Sequence, residues 1–114
     1  MNEEDFLPLP AATFHILLAL ADRDSHGYAV MQAVREQSGG RVPMQTGSFY
    51  RHLSKLLDGG LVAEAARKRA DDDPRRGSYY RLTPLGQKVL ASEKQRLTDL
   101  VAAMGGLKAI KKLQ

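Results

Sequence analysis

A chain of 114 residues, 43% hydrophobic and 26% charged, is the size of one globular domain, and it has no apolar run near the ~20 residues that a membrane span requires. It contains no cysteine, which removes disulfides and thiolate metal sites and fits a reducing cytoplasm; the acidic start Met1-Asn2-Glu3-Glu4-Asp5 lacks the positive region of a secretory leader. The net charge of +4 suits a polyanionic partner and is unevenly spread, with five acids and one arginine in residues 1–24 against six of the 17 basic residues in residues 67–81.

The first helix is expected from Pro10, a residue favoured at the first helical position, through Ala21. Phe14, Leu17, Leu18 and Ala21 form one apolar stripe, and Ile16 and Leu20 form a second on nearly the opposite side. A helix apolar on both sides is buried on both sides, which in so small a chain points to a partner subunit over Ile16 and Leu20. Ser25 is the expected cap of a second helix over residues 26–37, with Val30, Met31 and Val34 as its core face and Gly39-Gly40 as its stop.

A third helix follows, with Thr46 as expected N-cap and Asp58 as its end before Gly59-Gly60. Phe49, Leu53, Leu56 and Leu57 recur at helical spacing as one dry stripe, and Ser48, Arg51 and Lys55 project from the other side. Residues 61–67 and 78–83 then read as two strands of a hairpin, with Asp71-Asp72-Asp73-Pro74 as turn chemistry in its charged tip. Thr83-Pro84 opens a long last helix in which Leu90, Leu97 and Met104 repeat every seven residues, joined by Leu100 and Val101. Beyond Gly105-Gly106, the last residues read as a short extra helix or a frayed tail.

Three helices, a two-stranded wing and a long C-terminal helix make the fold mainly α with a β-hairpin wing, a winged helix-turn-helix. Residues 1–83 are expected to bind DNA and residues 84–114 to dimerise, within one compact unit. The third helix is a cylinder of about 11 Å that fits the ~12 Å major groove, where Arg51 can donate bidentately to guanine beside Lys55. On periodicity alone both are ordinary solvated charges; their position on the third helix of this topology turns the reading toward DNA. Thr46, Gly47 and Ser48 offer first-turn amides to a phosphate, while Arg67, Lys68, Arg69, Arg75 and Arg76 of the wing are expected along the DNA backbone or in the minor groove.

Three segments resemble the PadR-type transcriptional regulators: residues 45–62 around the third helix, Ser25-His26-Gly27-Tyr28-Ala29-Val30 in the second, and residues 79–90 from the wing into the last helix. The resemblance runs over roughly residues 10 to 104, with Phe49 standing where leucine is common. It implies a homodimeric repressor of double-stranded DNA whose long C-terminal helix, assisted by the first, forms the dimer. It also implies release by a small hydrophobic effector, for which the cleft between the long and first helices is the expected seat. Carried onto this sequence, Tyr28 and Tyr50 contact the DNA backbone, and Gln45, Thr46, Ser48, Arg51 and Lys55 line the reading helix. Ile16, Leu20, Leu90, Leu97, Leu100, Val101 and Met104 are the expected dimerisation residues.

His15, His26 and His52 sit on three different helices with no i, i+4 pair, which argues against a metal site, and no nucleophile, phosphate loop or isolated carboxylate pair suggests catalysis. The sequence therefore calls for no enzyme and no cofactor. The competing function is a winged-helix dimer that binds proteins without DNA.

Overall fold

The computed structural model describes residues 2–65 and 78–113. A 3-10 turn (Glu3–Phe6) leads into α1 (Ala11–Asp22), β1 (Ser25–His26), α2 (Gly27–Gln37), α3 (Thr46–Asp58), β2 (Val62–Ala65), β3 (Tyr79–Leu82), α4 (Pro84–Met104) and α5 (Lys108–Lys111). The expected winged-helix order is present, with two additions: the opening 3-10 turn, and a third strand. Ser25 and His26 pair antiparallel with Tyr80 and Tyr79, so β3 lies between β1 and β2 in a three-stranded sheet. Two residues are too few to show a period-2 pattern in sequence, and β1 exists only because the chain entering α2 passes the central strand.

The core is built by α1 (Ile16, Leu17, Ala19, Leu20), α2 (Val30, Met31, Val34), α3 (Phe49, Leu53, Leu56) and α4 (Val89), closed by Met44, Leu61, Val62 and Tyr80. The apolar stripes read for α2 and α3 are thus their inward faces. For α1 the sequence expectation needs correction. Ile16 and Leu20 are buried inside the protomer, together with Leu17, and offer no surface to a mate. The outward apolar residues of α1 are Phe14, Leu18 and Ala21 instead, which face α4 across an open groove. Periodicity identified two apolar faces but carried no information on which one the rest of the chain covers.

Side chains cap α2 and α4, and three starts shift from expectation, the first being α1, where Pro10 is the N-cap and the helix begins at Ala11. Thr83 caps α4 as read, its hydroxyl accepting from the Gly86 N–H at 3.0 Å with Pro84 in the first turn. At α2 the cap is His26, whose Nδ1 accepts from the Ala29 N–H at 3.3 Å, while Ser25 Oγ donates back to the Arg23 carbonyl at 3.3 Å. At α3 the N-cap is Gln45, and Thr46 is already helical. Beyond Gly105-Gly106, Lys108–Lys111 form the short helix α5.

Candidate nucleic-acid interface

The α2–α3 corner fixes the geometry of the outward surface. Arg35 Nη2 donates to the carbonyl of buried Met44 at 3.0 Å, tying the end of α2 to the loop that launches α3. With Phe49, Leu53 and Leu56 turned into the core, the 100° helical step puts Gly47, Arg51, Ser54 and Lys55 outside. Arg51 and Lys55 are exposed and make no ion pair among the described residues, so their donors are available to an incoming ligand. Gln45 is exposed and forms no side-chain cap to α3, which leaves the amides of that first turn facing outward beside Thr46. Ser48 is half-buried, and its hydroxyl donates to the Gln45 carbonyl at 3.0 Å, leaving the oxygen lone pairs as its free function.

The two tyrosines named from the sequence flank this surface. Tyr28, on the first turn of α2, is 58% exposed, and Gln32 Nε2 donates to its hydroxyl at 3.2 Å. An oxygen that already accepts keeps its own proton to donate. Tyr50 is 46% exposed, edge-on to Phe49 at 4.9 Å, with its hydroxyl reaching back over Gly27. A Cβ at Gly27 would meet that hydroxyl at 2.8 Å and Phe49 Cε2 at 3.3 Å, so the glycine makes room for the Tyr50 hydroxyl over the start of α2. Behind them Tyr80 is buried, and its phenol is pushed above the ordinary value by burial, with Tyr50 and Glu64 adding to the effect. His26 lies edge-on to Tyr79 at 5.7 Å and completes the aromatic group at the α2 start.

Of the basic wing, Arg81 is exposed on β3, opposite Ala63. Arg67, Lys68, Arg69, Arg75 and Arg76 lie outside the described residues. Sequence reasoning missed Arg35, Gln32 and His26 as supports of this surface. Each acts through contacts that only the folded chain creates, although the i, i+4 spacing of Tyr28 and Gln32 on a helix was a usable signal.

Between α1 and α4 lies an open groove of about 610 Å³ lined mainly by apolar groups. Phe14, Leu18, Leu82, Leu90, Leu97 and Val101 form its walls, and Lys94 and Thr98 stand at it as polar groups. Past the groove Leu100, Met104 and Leu107 are exposed along α4 and the turn after it. Among the described residues no three His, Asp or Glu side chains converge as a metal site, and no helix is long and apolar enough to cross a membrane.

This arrangement has known counterparts. The transcriptional regulator PadR-like family matches residues 16–92. A PadR family transcription regulator from hypervirulent Clostridium difficile superposes with a TM-score of 0.69 at 22% identity, over 84% of this chain and 96% of its own. A transcriptional regulator from Clostridium thermocellum gives 0.60 at 24% identity, over 88% and 89%. A MarR family transcription regulator gives 0.64 at 16% identity, over 93% of this chain and 64% of its own. At such identities the structures share the winged-helix fold with this chain. Among curated proteins no relative matches. With the family matched from the core of α1 to the middle of α4, and a winged-helix fold displaying a cationic third helix, this chain belongs to the PadR-like transcriptional regulators, a family of regulators and not of enzymes.

Proposed function

We propose that this protein is a homodimeric, sequence-specific repressor that binds duplex DNA through α3 and is released by a small apolar effector. The observation that carries the reading is the two-faced α3: Phe49, Leu53 and Leu56 are buried, and Arg51 and Lys55 are exposed and free of ion pairs among the described residues. Residues 1–83 carry the DNA contacts and residues 84–114 the dimer contacts. Gln45, Thr46, Ser48, Arg51 and Lys55 meet the major groove, Tyr28 and Tyr50 meet flanking phosphates, and Arg67, Lys68, Arg69, Arg75 and Arg76 follow the backbone. Two such helices in a twofold dimer sit roughly 34 Å apart, one turn of DNA, and repression follows from excluding the transcription machinery.

Dimerisation uses Leu90, Leu97, Leu100, Val101 and Met104, and α1 contributes Phe14 and Leu18 in place of Ile16 and Leu20. The supporting facts are the exposed apolar half of α4 and the groove beside it. The groove's volume of about 610 Å³ lies in the range of small-molecule sites, which supports an apolar effector held at the dimer cleft. Such a ligand acts by preferring one dimer geometry over another.

The test is binding of DNA selected from a random pool, followed across salt. Log affinity should fall linearly with log salt as counterions are released. Arg51→Ala should relax base preference at one position by about 1–3 kcal/mol, and Arg69→Ala should weaken binding to all sequences alike. Equal, sequence-blind losses from both would contradict the reading role given to α3. Affinity for a protein partner with none for DNA would favour a protein-binding winged helix instead.

A further inference from the structure

One charged side chain sits on the inward face of α4. Glu93 is 2% exposed, one turn along from buried Val89. A carboxylate buried at a position where leucine would pack is costly unless every oxygen is engaged. Both are. Oε2 accepts the Leu9 N–H at 2.9 Å and Arg96 Nη2 at 3.1 Å, and Oε1 accepts Arg96 Nε.

The Leu9 contact spans 84 positions of sequence and latches residues 3–9 to α4. This strap, the 3-10 turn and the three residues after it, packs Phe6, Leu7 and Leu9 against the core. Its aromatic ring also stands beside the end of the reading helix: a Cβ added at Gly59, the C-cap of α3, would meet Phe6 Cε1 at 3.6 Å. The strap therefore lies with Phe6 beside the C-cap of α3 and with Leu9 bonded to the middle of α4. The principal supports of α3 are α1 and β2, and those of α4 are the strap, α1 and β3.

We infer that the strap, latched by Glu93, is a wedge that sets the angle between the reading helix and the dimerisation helix, so that Glu93 is a positioning residue for half-site spacing. The inference rests on the dimeric DNA-binding reading above. Small shifts at a packed wedge become discrete changes of helix placement, because a close-packed interior does not deform continuously. In a twofold dimer each change of angle is doubled at the two α3 helices.

The experiment uses the full chain and a series of DNA duplexes whose two half-sites, taken from sequences the protein itself selects, are one or two base pairs closer or farther apart. Wild-type protein should discriminate against the wrong spacings by roughly fivefold or more. Glu93→Leu, which removes the acceptor of the Leu9 N–H, and Phe6→Ala, which removes the ring beside Gly59, should flatten that profile. Base preference within each half-site should remain unchanged. Glu93→Gln, which keeps the shape and an acceptor oxygen, should retain most of the discrimination. All are measured where circular dichroism shows folded protein, and Phe6→Ala serves if the Glu93 variant does not fold. A lower melting temperature with an unaltered spacing profile in both variants would make the latch merely stabilising and overturn the inference. Wild-type protein indifferent to spacing would instead overturn the dimeric reading on which it stands.

Discussion

Gly86 lies where the first turn of α4 crosses the entry to β2, and no side chain fits there. A Cβ would stand 2.2 Å from the Leu61 carbonyl oxygen and 2.6 Å from Leu82 Cδ1. The oxygen is backbone, and it is held in place: it accepts the Thr83 N–H at 3.1 Å, while Thr83 Oγ1 donates to the Gly60 carbonyl at 2.6 Å and accepts from the Gly86 N–H at 3.0 Å. Relief would require moving α4 off the sheet and breaking its cap. Gly86→Ala should therefore lose stability although alanine is the better helix former by about 1 kcal/mol. The expected net cost is about 1–3 kcal/mol or more, read as a lower urea midpoint at unchanged slope. Gly27 makes the contrast, because there a Cβ meets the far end of a side chain, the Tyr50 hydroxyl, which can move at the expense of its position over α2.

At the scale of elements, the Glu93 latch makes the strap's docking depend on pH. The Arg96 guanidinium, donating to the carboxylate, holds the Glu93 carboxyl below its ordinary value; burial opposes this, and the Leu9 N–H adds to the lowering. A carboxyl depressed in the folded state contributes stability that is present above the unfolded value of about 4.3 and is lost as pH falls through the lower folded value. Glu93→Gln should lower the melting temperature at neutral pH and remove part of its decline below about pH 4.3. Thermal melts of both proteins across the acid range read this directly, and parallel curves would show that Glu93 has the same affinity for protons folded and unfolded. The sequence could not have announced this element. Glu93 stands in the polar run Ser92-Glu93-Lys94, which reads as a wet helix face, and its partner is a backbone amide 84 residues away. By contrast α2, α3 and α4 were legible because local chemistry sets their ends: glycines after α2 and α3, Thr83-Pro84 before α4, and one apolar stripe on α3 whose opposite side had to face out. What local pattern lacks is depth. It gave α1 two apolar faces and no way to tell that Ile16 and Leu20 belong to the core and Phe14 and Leu18 to the groove.

The molecule as a whole is more extended than its length requires. Its radius of gyration is 16.2 Å, against about 13 Å for a compact chain of this size. The 21 residues of α4 make a rod of about 31 Å whose first half packs on the body through Gly86, Val89 and Glu93. In its second half Leu97, Leu100, Val101 and Met104 are exposed, followed by Leu107 beyond the helix. The face defined by Val89 and Glu93 continues into Leu97, Leu100 and Met104, so the helix keeps a buried-type surface after the body has ended. A second copy related by a twofold axis can pack its own exposed half against this one and roof the groove of each protomer, as an isologous interface does. Val101 is 65% exposed in the protomer, so Val101→Glu disturbs no core and, with no effector added, tests the interface. Folding, judged by circular dichroism and melting at high dilution, should be close to wild type, while sedimentation should fall from twice 12.6 kDa to 12.6 kDa. Because two half-sites are then no longer gripped by one molecule, affinity for a full site should drop by about 10²-fold or more, while affinity for a single half-site should not change. A Val101→Glu protein that still sediments as a dimer would remove α4 from the interface, and a monomer with undiminished full-site affinity would show that the two reading helices never acted together.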